Sequence, residues 1–434
     1  MPSPHSCRSS LLSLICSTTA VTGGLALRSL SSTGSGVLRG SSASSLGSAL
    51  SVQRPGNATR VPLPWLKHLW VRSRQDILKL KYPYMVHVAP DKAQRIDDAG
   101  GSFRGQAVFT EALTQDLPPD LAERLASCPL ATMGGRMDHG WSRPASYAPG
   151  RVWIFVNGET SPGVEFWESI KEALHPADKG VILGNWWNET HQTFHSPEVT
   201  SLWVPFASTS FAERTYRTPM DLVDRQLRTR FGRARKYIVA YQQKGCNLFR
   251  ETFWDLLNKE LSTRGTRGSA LSTCNGQYES GERLSLPEQG DYSEGGGMDW
   301  SMGRYEQFRF VWAAEHGQNS HGYVTEKIVN AFLAGAVPIY GGASQVGQLF
   351  DPASFLPVDL NSAAAAYLSL RRVADAVDDP AKYERMLHRS SPVVSDEVMR
   401  RFFSWHPAVW KRFGDGLRRQ ILEEALRFCQ HPHA

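Results

Sequence analysis

The chain has 434 residues, 41% of them apolar and 21% charged, a composition typical of a soluble protein long enough to form more than one core. The 48 Lys and Arg exceed the 42 Asp and Glu by six, but no acidic residue precedes Asp76, so part of this excess belongs to the N-terminal segment. The charge therefore gives little support to nucleic-acid binding. The six cysteines form no CxxC pair, which argues against a zinc site and a redox dithiol.

Residues 1–77 are interpreted as a leader, because their first 60 or so are rich in Ser, Gly and Ala and free of acids. Within this leader, residues 9–27 carry no charge and are long enough to span a bilayer, although Ser and Thr dilute their apolar content. A signal anchor, an organellar transit peptide and a disordered tail are the three interpretations. Sequons at Asn57 and Asn188 suit a protein of a secretory lumen.

Beyond the leader, short apolar runs alternate with longer mixed segments. Residues 151–156 predict a buried strand, residues 163–174 an amphipathic helix and residues 180–184 the next strand. This βαβ rhythm predicts a mostly parallel sheet. Residues 78–223 are therefore expected to form a first Rossmann-like domain.

A basic stretch, residues 224–236, is interpreted as a solvated linker or charged helix, with a polyanion site as the alternative. After it, residues 237–241 predict a strand, residues 248–261 a helix with one apolar face, and residues 308–314 a buried strand. These elements predict a second Rossmann-like domain over residues 237–395.

Two further segments complete the predicted order. Residues 262–304 are dense in Gly, Ser, Glu and Arg and predict a long loop or insertion. Residues 396–434 predict C-terminal helices. The fold class predicted is thus α/β, with two Rossmann-like domains facing across a cleft where strand ends meet helix starts.

The stretch HGYVTEKIVNAFLAG predicts a helix that begins after a cap at Thr325 and stops at Gly335. Glu326 suits the first turn of a helix, whereas Lys327 does not, since a cation is disfavoured there. A cation added to the free N–H groups of a helix start favours a phosphate, and an adjacent carboxylate suits a ribose diol. The pattern indicates a nucleoside diphosphate, although lysines at helix starts are also common without one.

In AVPIYGG, directly after this helix, Pro338 should weaken or end a strand. A short strand ending at Gly341 and Gly342, close to a ligand, would reconcile the proline with the apolar run.

Residues 308–359 closely resemble the donor-binding core of the α1,3/4-fucosyltransferases that use GDP-fucose. The matching features are Glu315, then YVTEK from Tyr323 to Lys327, then AGAVP from Ala334 to Pro338, then Ser354 and Phe355, in the order and spacing of that family. The resemblance extends less sharply over about residues 150–360. It implies an inverting glycosyltransferase of the GT-B type.

The resemblance also assigns roles to single residues. Glu159 falls on the catalytic base, Arg250 and Lys327 on contacts to the diphosphate, Glu326 on the ribose contact, and Tyr323 and Glu315 on other donor-site positions. From the residues alone, the preferred interpretation of Glu159 is a turn carboxylate that caps the following helix, with a catalytic base as the alternative. Arg250 could simply pair with Glu251 or Asp255.

This sequence departs from the family where Phe-Glu-Asn would stand. The corresponding residues here are Ala314, Glu315 and His316, and one additional residue precedes Tyr323. The hydrogen bond that the family Asn makes near the pyrophosphate must therefore come from His316, Gln318 or Asn319, or be lost. Residues 185–195, with two Trp and two His, could hold an acceptor or be ordinary buried aromatics.

The resemblance implies transfer of fucose from GDP-fucose to a glycan or glycoprotein of the GlcNAc or lactosamine type, through an α1,3 linkage. Another nucleotide sugar, or a binding protein without catalysis, are the alternatives. No Asp-x-Asp triplet precedes the donor motif, so no metal or other cofactor is expected to be required, with Mn²⁺ stimulation left open. A type II Golgi membrane protein is expected, organelle import being the alternative.

Overall fold

Two six-stranded sheets form the framework of the structure, which is a computed structural model. The residues that it describes are 85–87, 109, 112–113, 115–126, 128, 130–134, 150–157, 167–168, 171, 174–185, 193–214, 217–224, 235–243, 245–286, 297–316, 321–388 and 391–430.

The first sheet has the strand order β1-β2-β3-β4-β6-β5. Its neighbours are parallel except for the edge pair β5 and β6. The strands are β1 Met85–His87, β2 Leu130–Gly134, β3 Val152–Asn157, β4 Lys179–Gly184, β5 Thr193–His195 and β6 Val199–Trp203.

The second sheet is parallel throughout, with the order β12-β11-β10-β7-β8-β9. Its strands are β7 Tyr237–Tyr241, β8 Ser269–Ala270, β9 Glu282–Arg283, β10 Phe308–Ala314, β11 Val337–Gly341 and β12 Leu356–Val358.

The helices lie between and after these strands. They are α1 Pro119–Ala126, α2 Phe206–Thr209, α3 Leu248–Thr263, α4 Gly297–Tyr305, α5 Glu326–Leu333, α6 Ala363–Asp378, α7 Pro380–Leu387, α8 Asp396–Val398, α9 Pro407–Phe413 and α10 Gly416–Gln430. Four short 3-10 turns, Ser210–Glu213, Pro219–Leu222, Ser344–Gln348 and Pro352–Ser354, and a π-helical turn, Met399–Phe403, complete the described elements.

The predicted fold class, α/β with two Rossmann-like parallel sheets, is confirmed by this topology. Strand β7 spans the predicted residues, and β10 does so as well. Both are mainly apolar, although β10 includes Arg309, because both faces of the sheet are covered. Helix α5 packs on one face of β10 and β11, while α3 and α6 pack on the opposite side of the second sheet.

Strand β11 continues through Pro338, which pairs with Val311 of β10. Its pairing with β12 begins one residue later, at Ile339. The proline therefore lies where the strand has a partner on one side only, which is where a missing N–H is tolerated.

The prediction of a long loop at residues 262–304 is wrong where this segment forms helices and strands. The segment contains the last two residues of α3, the paired strands β8 and β9, and all but the last residue of helix α4. Strands of two residues are too short to give a periodic pattern, which explains why the sequence did not reveal them.

The predicted C-terminal helices are present, and the longest of them, α10, packs against the first sheet. Apolar residues of α10 share a core with Ile154 of β3 and Leu183 of β4. Arg124 of α1 donates two hydrogen bonds, of 3.0 and 2.7 Å, to the Glu423 carboxylate, and a disulfide joins Cys128 to Cys429 with a Cα–Cα distance of 5.5 Å.

Some predictions lie outside the described residues. These are the leader, most of the basic stretch 224–236, most of the helix at residues 163–174, and the sequons. Among the described helices, none has the length and apolar character needed to cross a bilayer.

Acid should destabilise the fold partly through His406, which caps α9 by accepting a hydrogen bond at Nδ1 from the Ala408 N–H, 3.2 Å away. Burial lowers the pKa of His406 to about 4. The unfolded chain, with an ordinary pKa near 6.5, binds this proton first, so stability is complete above pH ~6.5 and falls as the pH drops towards 4. The denaturant midpoint of His406→Asn, which keeps a capping group, should fall less over this range. Parallel pH profiles of the two proteins would contradict this.

Candidate functional site

The predicted residues at the start of α5 surround the buried carboxylate of Glu315, which follows β10. This side chain is fully buried. Its Oε1 accepts a hydrogen bond from the Thr325 backbone N–H at 2.8 Å, and its Oε2 accepts one from the Thr325 hydroxyl at 2.6 Å. The Tyr340 hydroxyl lies 3.4 Å from Oε1. Burying a carboxylate is costly unless such donors compensate for the lost water.

Thr325 therefore does not cap α5 in the predicted way. It occupies the N-cap position, but its side chain accepts no hydrogen bond from the first turn of the helix. Its hydroxyl donates to Glu315 and accepts a hydrogen bond of 2.9 Å from Lys327 Nζ. The threonine thus links the buried carboxylate to the lysine.

Lys327 lies between two carboxylates. Its Nζ is 3.2 Å from Glu326 Oε1 and 3.4 Å from Glu315 Oε2, and its side chain keeps 17% exposure. The side chain is thus partly open to solvent, from which an anion can approach it.

The protonation of the three residues follows from this geometry. Burial raises the pKa of Glu315, with the Lys327 ammonium opposing the shift. Burial acts in the same direction on Glu326, but the charge of Lys327 and the hydrogen bonds to the carboxylate together outweigh it and lower the pKa of Glu326. Burial alone would lower the pKa of Lys327, yet the two carboxylates raise it overall, so the ammonium stays charged near neutral pH.

Arg250, in the first turn of α3, is also buried. Its guanidinium donates to three neutral oxygens: Nε to the Glu315 carbonyl at 3.0 Å, and Nη1 to Gln243 Oε1 at 3.1 Å and the Gly245 carbonyl at 3.3 Å. In the described part of the chain no carboxylate contacts it. A buried cation without a counter-ion is suited to an anionic ligand.

The alternative in which Arg250 pairs with Glu251 or Asp255 is wrong. The Glu251 carboxylate accepts hydrogen bonds from the Tyr241 hydroxyl and from the Gly276 N–H. Asp255 Oδ2 accepts one of 2.8 Å from the Gln277 N–H. Both acids are therefore occupied by the segment that follows β8.

Arg250 and Lys327 act on each other electrostatically. The guanidinium is close enough to depress the pKa of Lys327 against the larger effect of the carboxylates. Two cations that repel one another are both stabilised when an anion lies between them. Glu315 connects the pair, since its carbonyl holds Arg250 and its side chain holds Lys327.

The two glycines at the end of β11, Gly341 and Gly342, have a packing reason that the sequence did not suggest. A Cβ on Gly341 would lie 2.6 Å from the Trp312 ring, and one on Gly342 would lie 2.6 Å from both Glu315 Cγ and the Tyr340 hydroxyl. Side chains of the protein itself, and not only a ligand, therefore require these two glycines.

The first half of the chain meets the segment that leads into α5. Trp203, at the end of β6, donates from Nε1 to the Gly322 carbonyl at 3.0 Å, and the Ala207 N–H donates to the Val324 carbonyl at 2.9 Å. Gly322, with a positive φ of 79°, forms the predicted turn. The segment that places Tyr323 and Thr325 is thus held from both halves.

The remaining predicted residues are placed as follows. Tyr323 is buried, and its carbonyl lies 3.4 Å from the Tyr340 hydroxyl. His316 is exposed, and its carbonyl lies 3.4 Å from Asn247 Nδ2. Glu159 lies outside the described residues, as do Gln318, Asn319 and most of residues 185–195, so their roles stay predictions.

A cluster of Cys246, Glu251 and Cys274 has the composition of a metal site. The two sulfurs form a disulfide, with a Cα–Cα distance of 5.3 Å, so they are not thiolate ligands.

The sequence had left the pairing of the cysteines open, and no pattern in it indicated Gln243, Gly245 or Tyr340 as parts of the site.

Comparison with known proteins gives one local sequence match. No protein-family model matches the chain. Over 52 residues it is 42% identical to the α-(1,3)-fucosyltransferase FucT of Helicobacter pylori, a stretch that covers 12% of this chain and 11% of that protein. The match is local.

Solved structures of similar architecture include an α1,3-fucosyltransferase, with a TM-score of 0.48 and 16% identity over 80% of this chain and 92% of that chain. A structure of α1,3-fucosyltransferase with GDP-fucose has a TM-score of 0.45 and 15% identity, over 79% and 90% of the two chains. Both similarities are in overall architecture, at low sequence identity.

Replacing Thr325 by Val should destabilise the protein by about 1–3 kcal/mol, because the buried Glu315 oxygen loses a hydroxyl donor in a charged network. Thr325→Ser keeps the hydroxyl and should retain most of the stability. Denaturant unfolding of the two variants measures the difference. Equal loss in both would show that the methyl group, and not the hydrogen bond, matters at this position.

Proposed function

We propose that the protein is an inverting fucosyltransferase that moves fucose from GDP-fucose to a hydroxyl of a GlcNAc- or lactosamine-type glycan, through an α1,3 linkage. The observation that carries the proposal is the convergence of Arg250 and Lys327 around Glu315, with Glu326 beside Lys327. The local identity to an α-(1,3)-fucosyltransferase supports the choice of sugar.

The two cations suit the diphosphate of the donor. Arg250 has no carboxylate partner among the described residues, and Lys327 is partly exposed at the positive end of α5. In the proposed complex the two side chains neutralise the charge that develops on the departing GDP. Glu326, ionised and next to Lys327, is proposed to accept hydrogen bonds from the ribose diol.

The reaction requires a base for the acceptor. In the proposed mechanism Glu159 takes the proton of the acceptor hydroxyl. At the same time the oxygen of that hydroxyl forms a bond to the anomeric carbon of fucose. The bond from that carbon to the phosphate oxygen breaks on the opposite face, so the configuration is inverted. GDP leaves with both electrons of the broken bond, and the charge is met by Arg250 and Lys327.

We also propose a compartment for the protein and donor binding that is independent of metal ions. Two disulfides support an oxidising compartment, in line with the proposed location of the catalytic part in the Golgi lumen. Because two protein cations face the diphosphate, we propose that no metal ion is required for donor binding.

Lys327→Ala should weaken GDP-fucose binding by about 10–100-fold, the loss of one hydrogen bond to a charged group. Lys327→Arg keeps the charge and should retain most of the affinity. Calorimetric titration with and without EDTA measures both effects. Unaltered affinity in Lys327→Ala would refute the phosphate role, and abolition of wild-type binding by EDTA would refute metal independence.

Glu159→Gln should bind GDP-fucose like the wild type but transfer fucose about 10²–10⁴-fold more slowly, since the general base is lost. Transfer is measured on a glycan acceptor array with GDP-fucose, GDP-mannose and UDP-sugars. If the wild type transfers a sugar only from GDP-fucose, the result supports GDP-fucose as the donor. Transfer from another nucleotide sugar instead would show that the proposed donor is wrong. Binding without any transfer supports a non-catalytic relative.

A further inference from the structure

Arg250 depends for its position on the turn between β7 and α3. Gln243 and Gly245 of this turn supply two of the three oxygens that hold the guanidinium, and the third is the Glu315 carbonyl. All three acceptors are neutral. The direction of the guanidinium is therefore set by hydrogen-bond geometry and not by an ion pair.

The turn itself is held by the segment that follows β8. The Gln243 carbonyl accepts hydrogen bonds from the Cys274 N–H, at 3.2 Å, and from the Ser272 hydroxyl. The Cys246–Cys274 disulfide joins the same two segments covalently. Cys246 stands directly after Gly245, so the crosslink acts within one residue of an acceptor for Arg250.

The other side of the disulfide is firmly anchored on α3. The Gly276 N–H donates to Glu251 at 2.6 Å, and the Gln277 N–H donates to Asp255 at 2.8 Å. Trp254 donates from Nε1 to Asn275 Oδ1 at 3.1 Å. The crosslink thus ties the turn to a segment that is fixed on the helix carrying Arg250.

The two cysteines of this disulfide differ in their exposure to solvent. Cys246 is exposed, whereas Cys274 is buried. A thiolate from solution can therefore attack the sulfur of Cys246, with Cys274 as the leaving group.

We propose that the Cys246–Cys274 disulfide positions Arg250 and thereby sets the affinity of the site for a nucleoside diphosphate. A dithiol reduces it by giving two electrons and two protons, forming two cysteine thiols and its own cyclic disulfide. Without the crosslink the turn loosens, and Arg250 loses part of its preorganisation for the phosphates. This inference rests on the proposed function, which supplies GDP as the ligand.

The test compares the two disulfides of the chain. Cys246→Ser combined with Cys274→Ser should weaken GDP binding about tenfold, roughly the effect of one well-placed hydrogen bond to a charged group. Cys128→Ser combined with Cys429→Ser removes the distant crosslink and should leave GDP affinity unchanged. Calorimetric titration measures affinity, and thermal unfolding of each variant shows whether it folds.

Two further measurements separate positioning from general loosening. In an Arg250→Ala background, removal of the Cys246–Cys274 disulfide should have no additional effect on GDP affinity. Gln243→Ala, which keeps the disulfide and deletes one acceptor of Arg250, should itself lower GDP affinity several-fold, so the proposal stays testable if the serine variant does not fold.

Unchanged GDP affinity in the Cys246 and Cys274 variant, or the same loss with and without Arg250, would overturn the inference. If the wild type binds GDP but the variants do not show the expected changes in affinity, the inference about the disulfide fails and the proposed function stands. If the wild type does not bind GDP, the proposed function fails and the inference fails with it.

Discussion

A carboxylate buried at the carboxyl end of β10 determines the form of the candidate site. Because Glu315 has no contact with water, donors must gather around it, and they come from Thr325, Tyr340 and Lys327. Its main chain takes part as well, since the carbonyl accepts from Arg250 and the N–H donates to the Gly341 carbonyl at 2.7 Å. Glu315 therefore helps to place both cations that are proposed to meet the diphosphate, Lys327 through its carboxylate and Arg250 through its carbonyl.

The fold could be predicted from the sequence to the extent that its signals are local. Strands β7 and β10 are mainly apolar runs, and α5 combines an acidic first turn with a glycine stop. Each is therefore visible within a window of about ten residues. Strands β8 and β9 are too short for such a pattern. The cap at Thr325 was misjudged because its hydroxyl is bound by a residue ten positions earlier.

The residues of the candidate site were also predictable only in part. Residue type and position at a helix start indicated Lys327 and Glu326, and the family resemblance indicated Arg250. The chain after β8 binds Glu251 and Asp255 and so keeps these two acids from Arg250, through contacts between residues 22 to 25 positions apart. No spacing rule encodes such contacts, and the same holds for the pairing of Cys246 with Cys274.

The docking of α10 on the first sheet has a consequence for folding during synthesis. Strands β3 and β4 emerge from the ribosome long before Gly416–Gln430, yet the core between them contains side chains of that helix. The first half therefore has an incomplete core while the second half is being made, although N-terminal domains usually fold first. The apolar face of the first sheet is covered only after α10 has been synthesised. The Cys128–Cys429 disulfide then links the C-terminal end of α10 covalently to the first half of the chain.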